Sequence, residues 1–284
     1  MGGFPLQQRI YMEILQLSDI HYGADYDGKF NTANQWSAVV KDAKARNPKG
    51  YDAVIITGDL VDDDPKVDDK TKATHYEDIF SDALSLCVNS NAPVIVTPGN
   101  HDNRKILTRV AKELPIKSWG PEDELIGFEE PGSQCVIMTF NCKTIVLLDS
   151  GTVEPYKGIA KLAAYTARES WKSEDAMIFT HKPFRNERLY HRFMVGTDNV
   201  MSEDVGQLVS PYAKKYFCGH FHHWSQVDCG SMDMFTCPGI QCQIDPYSKG
   251  CVPIAIPGYQ VIEFSTYANA KGTVHPVILS DYEP

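Results

Sequence analysis

Residues 14–23 read Ile-Leu-Gln-Leu-Ser-Asp-Ile-His-Tyr-Gly, and this stretch decides how the rest of the sequence is interpreted. An apolar run typical of a buried β-strand stops at Ser18 and is followed by Asp19 and His21. In open α/β sheets, ligands bind beyond the carboxyl ends of the strands. Because a carboxylate and an imidazole both ligate metals, the stretch predicts one part of a metal site.

Four further apolar runs end in side chains of the same kind. The runs at 53–57, 93–97, 176–180 and 214–218 are predicted strands, and a metal-ligating residue follows each. Since ligands gather beyond strand ends, we expect these side chains to converge on one site. The candidate ligands are Asp19, His21, Asp59, Asn100, His181, His220 and His222.

This ligand set predicts two metal ions. One ion seldom uses seven side chains of this mix, whereas two ions sharing a carboxylate would use them well. Asp59 is the natural bridge, because two carboxylate oxygens can hold ions ~3.5–4 Å apart. Imidazole and oxygen ligands together favour transition metals such as Mn, Fe, Zn or Co over Mg or Ca. The set contains no cysteine, which argues against a purely structural zinc site.

The order of predicted elements indicates an α/β fold. Strands alternate with helices, of which 31–46 and 103–114 have helical apolar spacing, and a β-rich tail follows. We predict one domain over residues 1–284, with excursions at 60–73 and 183–202. A capping-box pattern predicts that the helix after the first excursion begins at Thr74.

Composition excludes some functions and locations. A net charge of −10 argues against binding long nucleic acid, which needs a basic surface, but a bound metal still allows a small anionic substrate. No stretch approaches the ~20 apolar residues of a membrane span. Residues 1–11 lack the apolar core of a signal peptide, so we expect a cytoplasmic protein, and a homodimer is compatible with the sequence. The 8 cysteines are then expected to be reduced thiols, with disulfides in an exported protein as the alternative.

Five motifs occur in a characteristic order. They are D-x-H at 19–21, G-D-x-x-D at 58–62, G-N-H-D at 99–102, a histidine at 181 and G-H-x-H at 219–222. Together, over residues 12–265, they resemble the calcineurin-like metallophosphoesterase family. The resemblance implies a four-layer αββα sandwich of two mixed β-sheets flanked by helices.

The resemblance also implies roles for individual residues. One ion would be held by Asp19, His21, Asp59 and His222, and the other by Asp59, Asn100, His181 and His220. A hydroxide bridging the ions would attack phosphorus. His101 would contact the phosphate with Asn100 and protonate the leaving oxygen, and Asp102 would orient His101.

Two further polar residues lie beside these motifs. Arg104 suits an oxyanion clamp for the substrate phosphate, and the alternative is a charge on a helix surface. Asp62 is expected to bond a ligand histidine. The other histidines lack comparable neighbours: His75, His191 and His275 are interpreted as solvent-facing or hydrogen-bonded, and His223 as pointing away from the metals.

A narrower resemblance concerns the substrate. Arg104 soon after G-N-H-D, and Pro-Gly-Tyr at 257–259, are similar to the class III cyclic-nucleotide phosphodiesterase branch, the bacterial cyclic-AMP phosphodiesterases. The chain departs from the family in having Thr-His-Lys-Pro at 180–183 where His-His-Pro is frequent. The expected function is therefore a binuclear-metal phosphodiesterase for a small, cyclic nucleotide. The alternatives are a phosphomonoesterase or nucleotide pyrophosphatase of the same family, or a non-catalytic metal-binding scaffold. The 183–202 segment could be an active-site lid or a surface loop.

Overall fold

The computed structural model describes residues 11–24, 30–114, 135–140, 143–150, 156–167, 171–184, 200–201, 203–245, 253–265 and 272–282. The helices in these ranges are α1 (Thr32–Arg46), α2 (Asp69–Ser85), α3 (Arg104–Glu113), α4 (Tyr156–Thr166) and α5 (Glu203–Val209). The strands are β1 (Tyr11–Leu17), β2 (Ala53–Thr57), β3 (Val94–Thr97), β4 (Cys135–Phe140), β5 (Lys143–Leu148), β6 (Ala176–Phe179), β7 (Lys215–Cys218), β8 (Ser225–Asp228), β9 (Asp233–Thr236), β10 (Gln243–Ile244), β11 (Pro253–Ile254), β12 (Gly258–Ser265) and β13 (Thr273–Ile278).

The strands form two large mixed sheets. The first has the order β13-β12-β1-β2-β3, and its β1, β2 and β3 run parallel to one another. The second has the order β4-β5-β6-β7-β9-β8, with β5, β6, β7 and β9 parallel and an antiparallel strand at each edge. The strands that end in the predicted ligands, β1, β2 and β3 of the first sheet and β6 and β7 of the second, are all among these parallel strands. Their carboxyl ends therefore share one edge of each sheet.

The two sheets pack face to face through an apolar layer. Ile14 and Ile55 of the first sheet belong to a buried cluster that includes Met177 and Phe217 of the second. The rings of Phe179 and Phe217 stack at a centroid distance of 4.7 Å within this layer. The packed sheets form the two inner layers of the fold.

Helices cover the outer face of each sheet. Leu15, which follows Ile14 in β1, points to the opposite face and packs with Trp36 of α1 and Phe80 of α2. Val146 of β5 packs with Leu162 of α4 in a separate cluster on the second sheet. Strands buried on both faces need continuous apolar runs, which explains the sequence of β2, where all residues are buried. The predicted four-layer αββα sandwich is confirmed.

Helix α2 begins earlier than predicted. The Asp68 side chain caps it by accepting hydrogen bonds from the backbone N–H groups of Lys70 and Thr71, so the helix starts at Asp69. Thr74 lies inside the helix, where its hydroxyl donates to the Lys70 carbonyl. The predicted start at Thr74 is wrong, because Asp68, six residues upstream, caps the first amides of the helix. The 60–73 excursion is therefore a loop only as far as residue 68.

The second excursion lies mostly outside the described residues. Its ends are described, and the Met201 amide donates to the Pro183 carbonyl at 2.8 Å. Residues 185–199, most of the segment expected to be a lid or a surface loop, are not described. Of the helices in the described ranges, none is both long and apolar enough to cross a membrane. The cysteines described as free thiols are Cys87, Cys135, Cys218, Cys229, Cys237 and Cys242.

Candidate metal centre

The loops that follow the parallel strands of both sheets are bonded to one another. The Asp19 amide donates to the Gly58 carbonyl at 3.0 Å, which joins the loops after β1 and β2. The His220 amide, after β7 of the other sheet, donates to both carboxylate oxygens of Asp19 at 3.0 Å. Strand ends from the two sheets thus meet in one buried site.

Backbone conformation marks the same residues. Non-glycine residues rarely adopt positive φ, and such residues cluster at functional sites. In the described part of the chain, every non-glycine residue with positive φ is a predicted metal ligand. These residues, with φ in degrees, are Asp19 (54), His21 (48), Asp59 (54), His220 (73) and His222 (51). The strained conformations aim the ligands into the site, and they are a signal independent of the side-chain chemistry.

A first cluster combines Asp19, His21 and His222, whose candidate ligand atoms all lie within 4.8 Å of one another. His21 Nδ1 lies 2.6 Å from an Asp62 carboxylate oxygen and donates to it, as the sequence predicted for Asp62. The His21 Nε2 atom is buried and has no hydrogen-bond partner among the described residues. An orphaned imidazole nitrogen facing carboxylates is the arrangement that a metal ion would complete.

A second cluster combines Asp59, His181 and His220. His181 Nδ1 donates to the Thr57 carbonyl at 2.8 Å, so in the neutral imidazole its Nε2 atom carries a lone pair. That Nε2 lies 3.1 Å from Asp59 Oδ2, 3.1 Å from Asn100 Oδ1 and 3.1 Å from His220 Nδ1. Four acceptor-type atoms converge here, and a cation is the partner that satisfies all of them together.

Asp59 joins the two clusters. Its Oδ2 atom lies 3.1 Å from His181 Nε2 and 3.7 Å from His21 Nε2. Its other oxygen, Oδ1, accepts from the His101 amide at 2.8 Å. Burial alone would raise the pKa of Asp59, but the charge and hydrogen bond of His181 outweigh it and hold this pKa well below its ordinary value. Asp59 is therefore an ionised carboxylate between two groups of imidazoles.

The four histidines divide into two electrostatic types. Burial lowers the pKa of His181 and of His21, but nearby carboxylates outweigh it and raise both, that of His181 to about 9. The carboxylates thus favour positive charge in the site, which a proton or a metal ion can supply. Burial lowers the pKa of His220 and His222, so these imidazoles are neutral and their lone pairs are available to a metal.

Two glycines permit the close approach of these groups. A Cβ atom on Gly99 would lie 2.0 Å from Asp59 Oδ1, and one on Gly219 would lie 1.8 Å from Ser18 Oγ and 2.7 Å from Asp19 Oδ2. Any larger residue would push a candidate ligand out of place. The glycines of the G-N-H-D and G-H-x-H motifs are therefore part of how the site is built.

The structure corrects the predicted role of Asp102. The His101 imidazole is half-exposed, and its Nδ1 lies 3.1 Å from Asp62 rather than beside Asp102. The buried Asp102 carboxylate instead accepts from the backbone amides of Asp59 and Gly99, at 2.9 and 2.8 Å. Further donors to it are the amides of Leu60 and Val61 and the Tyr76 hydroxyl. The prediction that Asp102 orients His101 is wrong, because the Asp102 carboxylate accepts its hydrogen bonds from buried backbone amides of two loops.

The Asp102 carboxylate connects two loops of the site. Burial, together with the Asp59 charge, raises the pKa of Asp102, and the amide donors oppose that rise. Its bonds tie the loop after β2 to the loop after β3, which carries Asn100 and His101. Asp102 therefore fixes the backbone from which the site residues project.

Arg104 pairs with a carboxylate that the sequence interpretation missed. Its Nη2 atom lies 3.1 Å from the Asp149 carboxylate, and the two side chains are 12% and 0% exposed. Arg104 is therefore not a surface charge. Asp149 directly follows β5, so its apolar-run-then-carboxylate pattern matches that of Asp59 and was available in the sequence. The adjacent Ser150 hydroxyl accepts from the Lys182 amide, beside His181, at 2.7 Å.

The remaining histidines differ in their surroundings. His223 is buried, and its Nδ1 lies 2.9 Å from the Phe221 carbonyl. His75 packs edge-on against Tyr22 at a ring-centroid distance of 5.2 Å. His191 lies outside the described residues.

The sequence is similar to that of a curated relative over most of its length. A relative from Fibrobacter succinogenes (strain ATCC 19169 / S85), named "Probable cyclic nucleotide phosphodiesterase", is 23% identical over 260 residues, covering 89% of this chain and 90% of the relative.

Solved structures share the fold. The crystal structure of TT1561 of Thermus thermophilus matches with a TM-score of 0.53 and 12% identity, covering 90% of this chain and 99% of that one. GAP50, the anchor in the inner membrane complex of Plasmodium, matches with a TM-score of 0.55 and 14% identity, covering 97% of this chain and 87% of that one. At these identities the likeness concerns the fold.

The family assignment comes from a match over most of the chain. The model of the calcineurin-like phosphoesterase family matches residues 12–224, a range that contains all five ordered motifs and every candidate ligand. The chain therefore belongs to the calcineurin-like phosphoesterase family, whose members are metal-dependent hydrolases of phosphoric esters.

Proposed function

We propose that this protein is a binuclear-metal phosphodiesterase that hydrolyses a phosphoester bond of a small, cyclic nucleotide. The observation that carries the two-metal part is the position of Asp59, whose Oδ2 atom faces His21 of one ligand cluster and His181 of the other. The diester and nucleotide part is supported by the name of the Fibrobacter relative. It is also supported by the acidic chain, which suits a small substrate better than long nucleic acid.

Each proposed ion has a complete set of ligands in this proposal. One set is Asp19, His21, Asp59 and His222, and the other is Asp59, Asn100, His181 and His220. Their mixed imidazole and oxygen donors favour Mn, Fe or Zn. Such a metal pair, when bound, lowers the pKa of water and offsets the charge of the phosphate.

His101 is proposed to protonate the leaving oxygen. Its side chain is 45% exposed, so a substrate can reach it, while its amide is anchored on Asp59. The hydrogen bond to Asp62 raises the pKa of His101 to about 9 against the opposing effect of burial. His101 therefore keeps a proton near neutral pH, as a general acid must. In this arrangement Asp62, rather than Asp102, is the carboxylate that orients it.

Arg104 is proposed to bind a non-bridging phosphate oxygen. The Asp149 carboxylate engages one nitrogen of its guanidinium group, which leaves further N–H donors in a fixed plane. Its Nε atom is buried without a partner among the described residues. The buried ion pair with Asp149 would restrict where those donors point.

The proposal is tested by the substrate profile of the purified, Mn²⁺-loaded protein. Bis(p-nitrophenyl) phosphate, p-nitrophenyl phosphate and 3′,5′-cyclic AMP are assayed in parallel. The proposal expects turnover of the diester and of the cyclic nucleotide, with the monoester hydrolysed least. Turnover of the monoester alone would assign the site to a phosphatase. If all three substrates stayed intact with metal bound, a catalytic role would be contradicted.

A matched pair of variants supports the interpretation of that assay. Asp59→Asn keeps the shape of the side chain but removes its charge, and it is expected to abolish turnover. Asp69→Asn makes the same chemical change at an exposed position in the first turn of α2 and should retain it.

A further inference from the structure

Helix α2 contains a buried lysine that faces the loop after β2. A lysine is almost never buried without a partner, and Lys72 forms an ion pair with the Asp63 carboxylate; the two side chains are 5% and 46% exposed. Burial would raise the pKa of Asp63, but hydrogen bonds from Lys72 and Asn103 outweigh it and lower this pKa, so the carboxylate is ionised. The charge of Lys72 is therefore used on the loop that also carries Asp59 and Asp62.

The Asp63 residue holds the loop after β3 as well as Lys72. The side-chain nitrogen of Asn103 donates to the Asp63 carboxylate and lies 3.1 and 3.2 Å from its two oxygens. The Asp63 backbone amide donates to the His101 carbonyl at 2.8 Å. Asp63 is therefore bonded to the residues on either side of Asp102, immediately before α3.

Asn103 begins the helix that carries Arg104. Its side-chain oxygen caps α3 by accepting from the Ile106 amide at 3.2 Å. The oxygen and the nitrogen belong to one planar amide, so a rotation of this group would break the cap and the contact with Asp63 together. The start of α3, and with it the position of Arg104, is therefore coupled to Asp63.

One face of α2 supports this arrangement. Lys72 and Tyr76 are four residues apart, so they lie on the same side of the helix. The Tyr76 hydroxyl accepts from the Asn103 backbone amide at 3.1 Å, while Lys72 reaches the Asn103 side chain through Asp63. Helix α2 thus fixes both the backbone and the side chain of the residue that precedes Arg104.

We propose that Lys72 is a positioning residue for Arg104 and thereby for the substrate phosphate. Lys72 orients Asp63, Asp63 orients Asn103, and Asn103 sets the first turn of α3. The guanidinium end of Arg104 is held separately by Asp149. The inference rests on the proposed function for the contact between Arg104 and phosphate, and it adds a residue from a different helix.

The kinetic test removes the charge of Lys72. Methionine keeps an unbranched side chain, and Lys72→Met is expected to raise KM for bis(p-nitrophenyl) phosphate about fivefold in the Mn²⁺-loaded protein, because the contact of Arg104 with phosphate is weakened rather than removed. Its kcat and its metal content should stay near those of the wild type. Asp63→Asn, at a half-exposed side chain, should have the same effect. Lys70→Met makes the same change at an exposed position of α2 and should leave KM unchanged.

An Arg104→Ala background distinguishes positioning from general destabilisation. If Lys72 acts through Arg104, Lys72→Met should raise KM no further once the guanidinium is absent. Thermal melting shows that each variant is folded. An equal rise in KM in both backgrounds would overturn the proposal, because Lys72 would then act through another group.

Binding of inorganic phosphate separates this inference from the proposed function. Calorimetric titration of the Zn²⁺-loaded protein requires no turnover, and Lys72→Met and Asp63→Asn should each weaken phosphate binding about fivefold, whereas Lys70→Met should not. This pattern in a protein that fails to hydrolyse diesters would overturn the proposed function and keep the role of Lys72. Wild-type phosphate affinity in both Lys72→Met and Asp63→Asn would overturn the positioning role, and absence of phosphate binding by the wild type would overturn both.

Discussion

The carboxylate of Asp59 lies 3.1 Å from the Nε2 atom of His181, although the two residues follow strands of different β-sheets. Asp59 comes from the end of β2 and His181 from the end of β6. The distance between them therefore depends on how the two sheets pack across the apolar layer. Neither sheet carries a complete set of proposed ligands. Both proposed sets therefore form only when the two sheets pack together.

Replacement of Gly99 by alanine is expected to lower activity by displacing Asp59. The new Cβ would lie 2.0 Å from Asp59 Oδ1 and 2.4 Å from the Asp59 backbone nitrogen, so the loop that carries the proposed bridging carboxylate must move. Gly99→Ala should lose at least a hundredfold in diester kcat/KM, since misplacement of about 1 Å costs that much. It should also bind less metal, as measured by elemental analysis.

Gly230→Ala is the matched control for this prediction. Gly230 has φ +87°, and nothing lies within 4 Å of the position that a Cβ atom would take, so alanine there strains only the backbone. That change should lower the free energy of unfolding by about 1 kcal/mol and leave turnover intact. Full activity in Gly99→Ala would show that Asp59 need not stay where the structure has it.

Asp149→Asn should uncouple Arg104 from the site. The side chains form a buried ion pair, and removing one charge leaves the other without compensation. We expect a loss of about 3 kcal/mol in the free energy of unfolding, measured by denaturant titration. We also expect a rise in KM for diesters, because the guanidinium is no longer fixed, while metal content stays the same.

Arg104→Lys tests whether orientation or charge matters at this position. Lysine keeps the charge but has no planar fork of donors. It should resemble Asp149→Asn in its effect on KM, and the double variant should be little worse than either single one. Additive losses in kcat/KM would mean that Asp149 does not act through Arg104.

The pairing of His101 with Asp62 predicts a pH dependence in the metal-free protein. The bond to Asp62 raises the pKa of His101 to about 9, above the ~6.5 of an unfolded chain. The stabilisation is then fully present below about pH 6.5 and disappears as the pH rises through about 9. Asp62→Asn should shift the His101 titration downward, as followed by NMR of its ring protons. A wild-type midpoint near 6.5 would contradict the pairing.

Local sequence patterns predict several elements of the structure correctly. The run at 53–57 predicted β2 at its observed bounds, because a strand buried on both faces must be continuously apolar. The same reasoning identified the polar residues after strand ends that the structure brings together. The contact of Asp62 with a candidate ligand histidine, His21, was expected because Asp62 completes G-D-x-x-D.

Other features depended on contacts that no local pattern records. Asp102 accepts from amides of two separate loops, and nothing in G-N-H-D distinguishes this from a bond to its neighbour His101. The start of α2 differs from the prediction because Thr74 and Asp68 both suit a helix cap. Asp149 was missed although its pattern matched, because its partner Arg104 is 45 residues away in the sequence and on another element.

The most direct test of the central claim is the number of metal ions bound per chain. Wild-type protein and the Asp59→Asn and Asp69→Asn variants are loaded with Mn²⁺, freed of excess metal and measured by elemental analysis beside diester turnover. If Asp59 bridges two ions, wild type and Asp69→Asn should bind two per chain and turn over diester, and Asp59→Asn should lose metal and activity together. One ion per chain with full turnover, or two ions and normal turnover in Asp59→Asn, would contradict the binuclear account.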